Sequence, residues 1–206
     1  MLKIWGRVSS INVQKVVWAA GEVGQAFERI DAGLKFGIVK TPEYLAKNPN
    51  GLVPTLEDGP FVMWESNAIV RYLAATYGAG TLWPTDPKAR ALADMWMDWA
   101  SVMLNPAFSA AFMQLFRTPP QERDPAVIEA SRAKTEPVVA ILEAHLSRQP
   151  FVAGDSFTMG DIIVGVMAHR WLHLPLEREP RPHFESWYRS LAARPAAAAA
   201  LALPLT

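Results

Sequence analysis

The sequence predicts an α/β unit followed by an all-α helical bundle. Three observations predict it. Short apolar segments alternate with amphipathic ones as far as Tyr77, a Gly/Pro boundary follows at Gly78-Ala79-Gly80 and Trp83-Pro84-Thr85-Asp86-Pro87, and every long segment beyond it has helical periodicity. Half of the 206 residues are hydrophobic, enough to fill a core in each of two small domains. The expected division is 1–79 and 88–206, joined by a linker over 80–87.

Taken in order, Leu2 to Gly6 reads as a strand, Arg7 to Ser10 as a polar turn, and Val13, Val16, Val17 and Ala20 as the apolar stripe of a first helix. Phe27 to Asp31 suits a second strand and Thr41 to Lys47 a short helix. Val53 to Leu56 and Phe61 to Trp64 form a hairpin turned at Asp58-Gly59-Pro60. A helix from about Ser66 to Tyr77 closes the unit. In the second half, Leu92, Met95, Trp96, Trp99, Met103 and Leu104 trace the expected buried face of a long helix, kinked where Pro106 removes a hydrogen bond to the Val102 carbonyl. Thr118-Pro119-Pro120-Gln121 has the form of a capping box and predicts another helix start. Thr158 and Asp161 form a second such box, read as structural, and the alanine-rich stretch Pro195 to Leu203 is a last packed helix.

Composition narrows the function. Twenty basic and twenty acidic residues balance, with a pI near 6.9, so the basic footprint of a nucleic-acid binder is missing. No apolar run is long enough to cross a bilayer, and a cytoplasmic protein is expected. Cysteine is absent, which excludes disulfides, thiolate metal sites and a protein thiol nucleophile. His169 and His173 stand four apart, but no third ligand accompanies them, so no metal is expected. Any sulfur chemistry must arrive with a ligand.

Two segments carry the functional signal: Asn48-Pro49-Asn50-Gly51-Leu52-Val53-Pro54-Thr55-Leu56 and Trp64-Glu65-Ser66-Asn67-Ala68-Ile69-Val70-Arg71-Tyr72-Leu73. Because Pro54 has no amide hydrogen, Val53 keeps a peptide carbonyl and amide at a strand's rim for an extended ligand. Glu65 and Ser66 lie at a helix N-terminus, where free amides and the dipole suit a carboxylate. Ser66 as a plain N-cap and Glu65 as a first-turn charge are the simpler alternatives.

Together these segments resemble the tripeptide-holding half of a cytosolic glutathione transferase, closest to the bacterial theta-like and nu-like serine or asparagine type. Trp96-Met97-Asp98-Trp99 and Leu104-Asn105-Pro106 resemble the same group. The resemblance implies a thioredoxin-like N-terminal domain plus an all-α C-terminal bundle, a cis Val53-Pro54 bond and glutathione as co-substrate. It further implies a homodimer acting in detoxification. Ser66 then takes the α-carboxylate of the γ-glutamyl group, Glu65 its ammonium, and Lys40 the glycine carboxylate; a solvated Lys40 is the plain alternative.

The resemblance also places a hydroxyl against sulfur in the turn at Ser10, with Ser9 as competitor and Asn12 as a second donor. An ordinary helix cap is the other reading of Ser10. Lowering a thiol pKa from about 8.5 by about two pH units corresponds to roughly 2.7 kcal/mol, within reach of a hydroxyl hydrogen bond and a helix N-terminus. An apolar acceptor pocket between the domains is expected, with Met103, Phe108 and Phe112 as candidates, or as core, and Arg7 steering an anionic acceptor. The zeta-type isomerases carry Ser-Ser-Cys where this chain has Ser9-Ser10-Ile11, which disfavours that activity. The expected reaction is conjugation of glutathione to small halogenated or activated electrophiles. The alternatives are glutathione-dependent peroxide or disulfide reduction and a non-catalytic ligand-binding scaffold.

Overall fold

A computed structural model of the chain describes residues 1–202. These divide into two compact units, residues 1–85 with 194–202, and Asp86–Ala193.

The first unit is built on a four-stranded sheet. Its strands are β1 (Leu2–Trp5), β2 (Phe27–Ile30), β3 (Thr55–Asp58) and β4 (Phe61–Trp64), in the spatial order β2-β1-β3-β4. β1 and β2 run parallel because a helix, α1 (Ile11–Glu22), makes the crossover between them; β1/β3 and β3/β4 are antiparallel. Asp58 pairs with Phe61 across a two-residue Gly59-Pro60 turn, with Gly59 at φ +56°, as the Asp-Gly-Pro sequence predicts. The short helix α2 (Pro42–Leu45) starts on a Thr41 cap, and α3 (Ser66–Tyr77) follows β4 directly. Leu2 and Ile4 of β1, Leu56 of β3, Val13, Val16 and Val17 of α1, and Ile69 and Leu73 of α3 form the core.

The second unit is helical: α4 (Pro87–Trp99), α5 (Asn105–Phe116), α6 (Pro125–Leu146), α7 (Met159–Leu172) and α8 (Pro182–Ala192). A π-helical stretch, Ala100–Leu104, joins α4 to α5. Where a kink is expected at Pro106, the structure has a widened turn just before the proline, which sits at the start of α5. The Thr158 box is formed: its hydroxyl accepts from the Gly160 amide, while Asp161 accepts from the Thr158 amide.

Two expectations are corrected. No α-helix starts at Thr118; its hydroxyl donates back to the Met113 carbonyl, serving the end of α5, and only a 3-10 turn, Pro120–Glu122, follows. The helix begins instead at Pro125, where the Asp124 carboxylate accepts from the Ala126 amide. The buried face of α4 is also turned from the expected one. Ala93, Trp96, Met97, Ala100 and Leu104 are inside, whereas Leu92, Met95 and Met103 are about half exposed, at 46, 51 and 46%. The reason is close packing of α4 on α7, in which a side chain on Gly160 would meet the Ala93 backbone at 3.1 Å. Small residues, not the largest apolar ones, occupy that contact.

The final helix, α9 (Pro195–Leu201), belongs to the first unit and packs on α1. Leu203, the expected end of this stretch, lies outside the described residues. The Arg194 guanidinium ahead of α9 donates to both Glu22 oxygens at 2.7 and 2.6 Å, and Gly21 leaves room for Ala196, which a Cβ would meet at 2.9 Å. No helix among the described residues is long and apolar enough to cross a membrane.

Candidate functional site

The site is assembled by three breaks in regular structure within the first unit. The first is the turn from β1 into α1. Gly6, at φ +147°, passes between Val13 and Val53, where a Cβ would come within 3.0 Å of the Val53 side chain. Ser10 then takes the N-cap position of α1, its carbonyl accepting from the Val13 and Gln14 amides at 2.9 Å. Its hydroxyl makes no capping bond, although the residue is only 8% exposed. The helix cap expected as the plain alternative is therefore made by the Ser10 backbone and not by its side chain.

The second break is the loop leading into β3. Asn48 is buried; its amide donates to the Leu52 carbonyl at 2.9 Å and the Thr55 hydroxyl at 3.2 Å, and its oxygen accepts from the Asn50 amide at 3.1 Å. The Tyr44 hydroxyl bonds the same Leu52 carbonyl at 2.6 Å and Thr55 at 2.9 Å. This network sets the loop so that the Val53-Pro54 bond, which is cis, arrives at the rim of the sheet. Pro54 is buried and Val53 partly open, and the Val53 amide and carbonyl take no partner among the described residues. Burial pushes the Tyr44 phenol above its ordinary value, which keeps it a neutral donor.

The third break is the entry to α3. Glu65 is the N-cap at φ +75°, an uncommon conformation for a residue with a side chain, and its carboxylate takes no partner among the described residues. Ser66, 7% exposed, donates to the Asn12 side-chain oxygen at 3.2 Å and so joins the start of α3 to that of α1.

Asn12, Val53, Pro54, Glu65 and Ser66 line one cleft, together with Asn48, Asn50, Leu52 and Trp64. Of these four, none was singled out from the sequence as a site residue. The signal available was the Asn-x-Asn-Gly spacing, which lets one asparagine bond the amide two residues on and shape a turn. Lys40 is exposed and lies against Gly51, whose absent Cβ would meet its ammonium at 2.8 Å, beside Asn50 of the cleft. Arg7, in the β1 turn, is not among the residues that line this cleft; its guanidinium lies 3.0 Å from where a Gly33 side chain would begin.

The remaining candidates belong to the second unit. Phe108 is in its core, and Phe112, 7% exposed, stacks on Phe116 and carries the Arg170 guanidinium 4.1 Å from its ring centre. Met103 faces solvent. His169 bonds Tyr188 at 2.6 Å and His173 bonds the His169 carbonyl, and no group of three potential ligands is found among the described residues.

Comparison with known proteins fits this geometry. Residues 1–75 match the glutathione S-transferase N-terminal domain and residues 125–190 the glutathione S-transferase C-terminal domain. Glutathione S-transferase GstB of Escherichia coli is 43% identical over the whole of both chains, and glutathione S-transferase 3 of Zea mays 36% identical over 98% of this chain and 96% of its own. The crystal structure of a theta class glutathione S-transferase from Xanthomonas axonopodis pv. citri, with glutathione bound, superposes at a TM-score of 0.95. It is 45% identical over 100% of this chain and 99% of that one. With both domains matched in sequence and the cis-proline rim and α3 entry in place, the chain belongs to the glutathione S-transferase family.

Proposed function

We propose that the chain binds glutathione in the cleft of its first unit, ionises the thiol at Ser10 with help from Asn12, and transfers it to small electrophiles. The observation that carries this reading is the Ser10 hydroxyl, held at the head of α1 and left unused by the helix it caps. A hydroxyl donor beside the positive end of a helix favours a thiolate over a thiol. Val53 offers its amide and carbonyl to the cysteinyl backbone of the tripeptide, Ser66 and the α3 amides hold the γ-glutamyl carboxylate, and Glu65 holds its ammonium. Lys40 takes the glycine carboxylate. The sulfur anion then attacks carbon, a C–S bond forms, and a leaving group such as halide departs with its electron pair.

Arg7, Met103 and Phe112 are the residues proposed to meet the electrophile, Phe108 supporting them from the core. The protein is proposed to act in the cytoplasm as a homodimer. The exposed apolar residues Phe61, Val62 and Trp64 of the first unit and Leu92 and Met95 of the second support association, and a monomeric mass by light scattering at micromolar concentration overturns it.

The test is Ser10→Ala. It is expected to raise the pKa of bound glutathione, followed by thiolate ultraviolet absorption, and to cut conjugation of a chlorinated nitrobenzene roughly 10- to 100-fold, the range of one charged hydrogen bond. An unchanged thiol pKa and rate refute the assignment. Faster turnover on cumene hydroperoxide or a disulfide than on the chlorinated nitrobenzene replaces conjugation with reduction, and absence of thiolate from the bound tripeptide points to a scaffold.

A further inference from the structure

Lys15 is 3% exposed in the second turn of α1, an uncommon setting for an ammonium group. Its Nζ lies 3.0 Å from Oδ1 of Asn12 and 3.3 Å from Oδ1 of Asn67. Burying a charge is costly unless it is satisfied by such acceptors, so its position calls for a reason. The Asn12 side chain supplies one.

A carboxamide has an accepting end and a donating end of nearly equal size, and turning it by half a revolution exchanges them at little steric cost. Ser66 alone leaves that choice open, because a hydroxyl accepts as readily as it donates. An ammonium cannot accept. With Lys15 and Ser66 both donating to Oδ1, at 3.0 and 3.2 Å, the Asn12 Nδ2 hydrogens are directed away from Lys15, and no described residue accepts them. Asn12 is exposed and lines the cleft, so these hydrogens remain available to a ligand bound there. In the opposite orientation the carbonyl oxygen would take the place of that donor and repel a thiolate bound beside it.

We propose that Lys15 is a positioning residue: it fixes the Asn12 carboxamide with its N–H groups toward the thiolate, and stabilises the anion through Asn12. The proposal rests on the glutathione-binding reading given above. A rival account is that the Lys15 charge acts on sulfur directly through the protein interior.

A double-mutant cycle separates the two, using Lys15→Met, Lys15→Arg, Asn12→Ala and the Lys15→Met/Asn12→Ala pair. Two quantities are read: the pKa of bound glutathione from thiolate absorption, and the calorimetric affinity for S-methylglutathione, which has no thiol to ionise. Lys15→Met is expected to raise the thiol pKa by about one pH unit, a roughly tenfold smaller thiolate fraction, with S-methylglutathione affinity within about twofold of the parent. Lys15→Arg keeps a donor without a lone pair and restores most of the effect. In the Asn12→Ala background Lys15→Met adds less than about twofold.

An unmoved thiol pKa in Lys15→Met, or an equal shift in both backgrounds, overturns the proposal; so does a parallel loss of S-methylglutathione affinity, the mark of a merely structural role. Should Lys15→Met not fold, Lys15→Gln carries the same cycle, since glutamine accepts as well as donates and releases the constraint. If the parent protein binds S-methylglutathione at no millimolar concentration, the glutathione-binding reading itself fails, and that outcome is distinct from all of these.

Discussion

Asn12 and Ser66, 54 positions apart, meet through one hydrogen bond of 3.2 Å that ties the first turn of α1 to the first turn of α3. Ser66 is thereby held in place at the first position of α3. Ser66→Ala removes that tie and, on the proposed reading, a hydroxyl whose single hydrogen would turn from Asn12 to the γ-glutamyl carboxylate when the tripeptide binds. The expected result is a 10- to 100-fold weaker calorimetric Kd for glutathione, the range of about 1.5–3 kcal/mol for a hydrogen bond to a charged group.

Gly6 couples the β1 turn to the proline rim, since any side chain there collides with Val13 and Val53. Gly6→Ala also forces a residue with a Cβ into φ +147°. Together these are expected to cost about 2–4 kcal/mol in urea unfolding and to weaken glutathione binding in whatever protein remains folded.

Asp161 is the polar centre of the helical unit. Its two oxygens accept from the Val152 amide and Trp187 indole, each at 3.0 Å, and from the Thr158 amide at 2.9 Å. Asp161→Asn turns one acceptor into a donor facing donors. A loss of about 3 kcal/mol is expected. The urea midpoint measures it, and a loss below about 1 kcal/mol would mark this cluster as incidental to stability.

His169 gives an acid-side signature. Burial, then the neighbouring His173 and Arg170, push its pKa down to about 4 from an ordinary 6.5, and Tyr188 bonds its ring. A histidine whose folded pKa is depressed favours the fold when neutral, so its contribution is full above about 6.5 and disappears as pH falls through about 4. Between pH 7.5 and 5 the parent is expected to lose about 2 kcal/mol more stability than His169→Gln. Equal losses by denaturant titration would count against it.

How much of this was legible in the sequence depended on what kind of residue carried each feature. The β1–α1 turn was readable from the polar run Arg7 to Ser10 between two apolar segments, the hairpin and the strand rim from Gly59 and Pro54, whose geometry is special or restricted, and the α3 entry from the polar Glu65-Ser66 pair ahead of a helical stripe. Thr118 misled because a threonine before prolines can bond backward as well as forward, and only the fold decides which. The face of α4 misled because periodicity weighs residues by size, while the contact with α7 is made by Ala93 and Gly160, whose smallness permits it. Asn48 was legible as part of a motif but not as its keystone. Its partners, Leu52, Thr55 and Asn50, converge only once the loop is folded.

The Arg194–Glu22 clasp spans 172 positions. A ribosome therefore releases α1 long before the helix that covers it exists. At about 5–20 residues per second the interval is roughly ten seconds or more, during which α1 shows a bare flank and Glu22 awaits its cation. The portion of the molecule synthesised first is among the last to be completed, and nascent chains halted before residue 194 would offer that flank to chaperones.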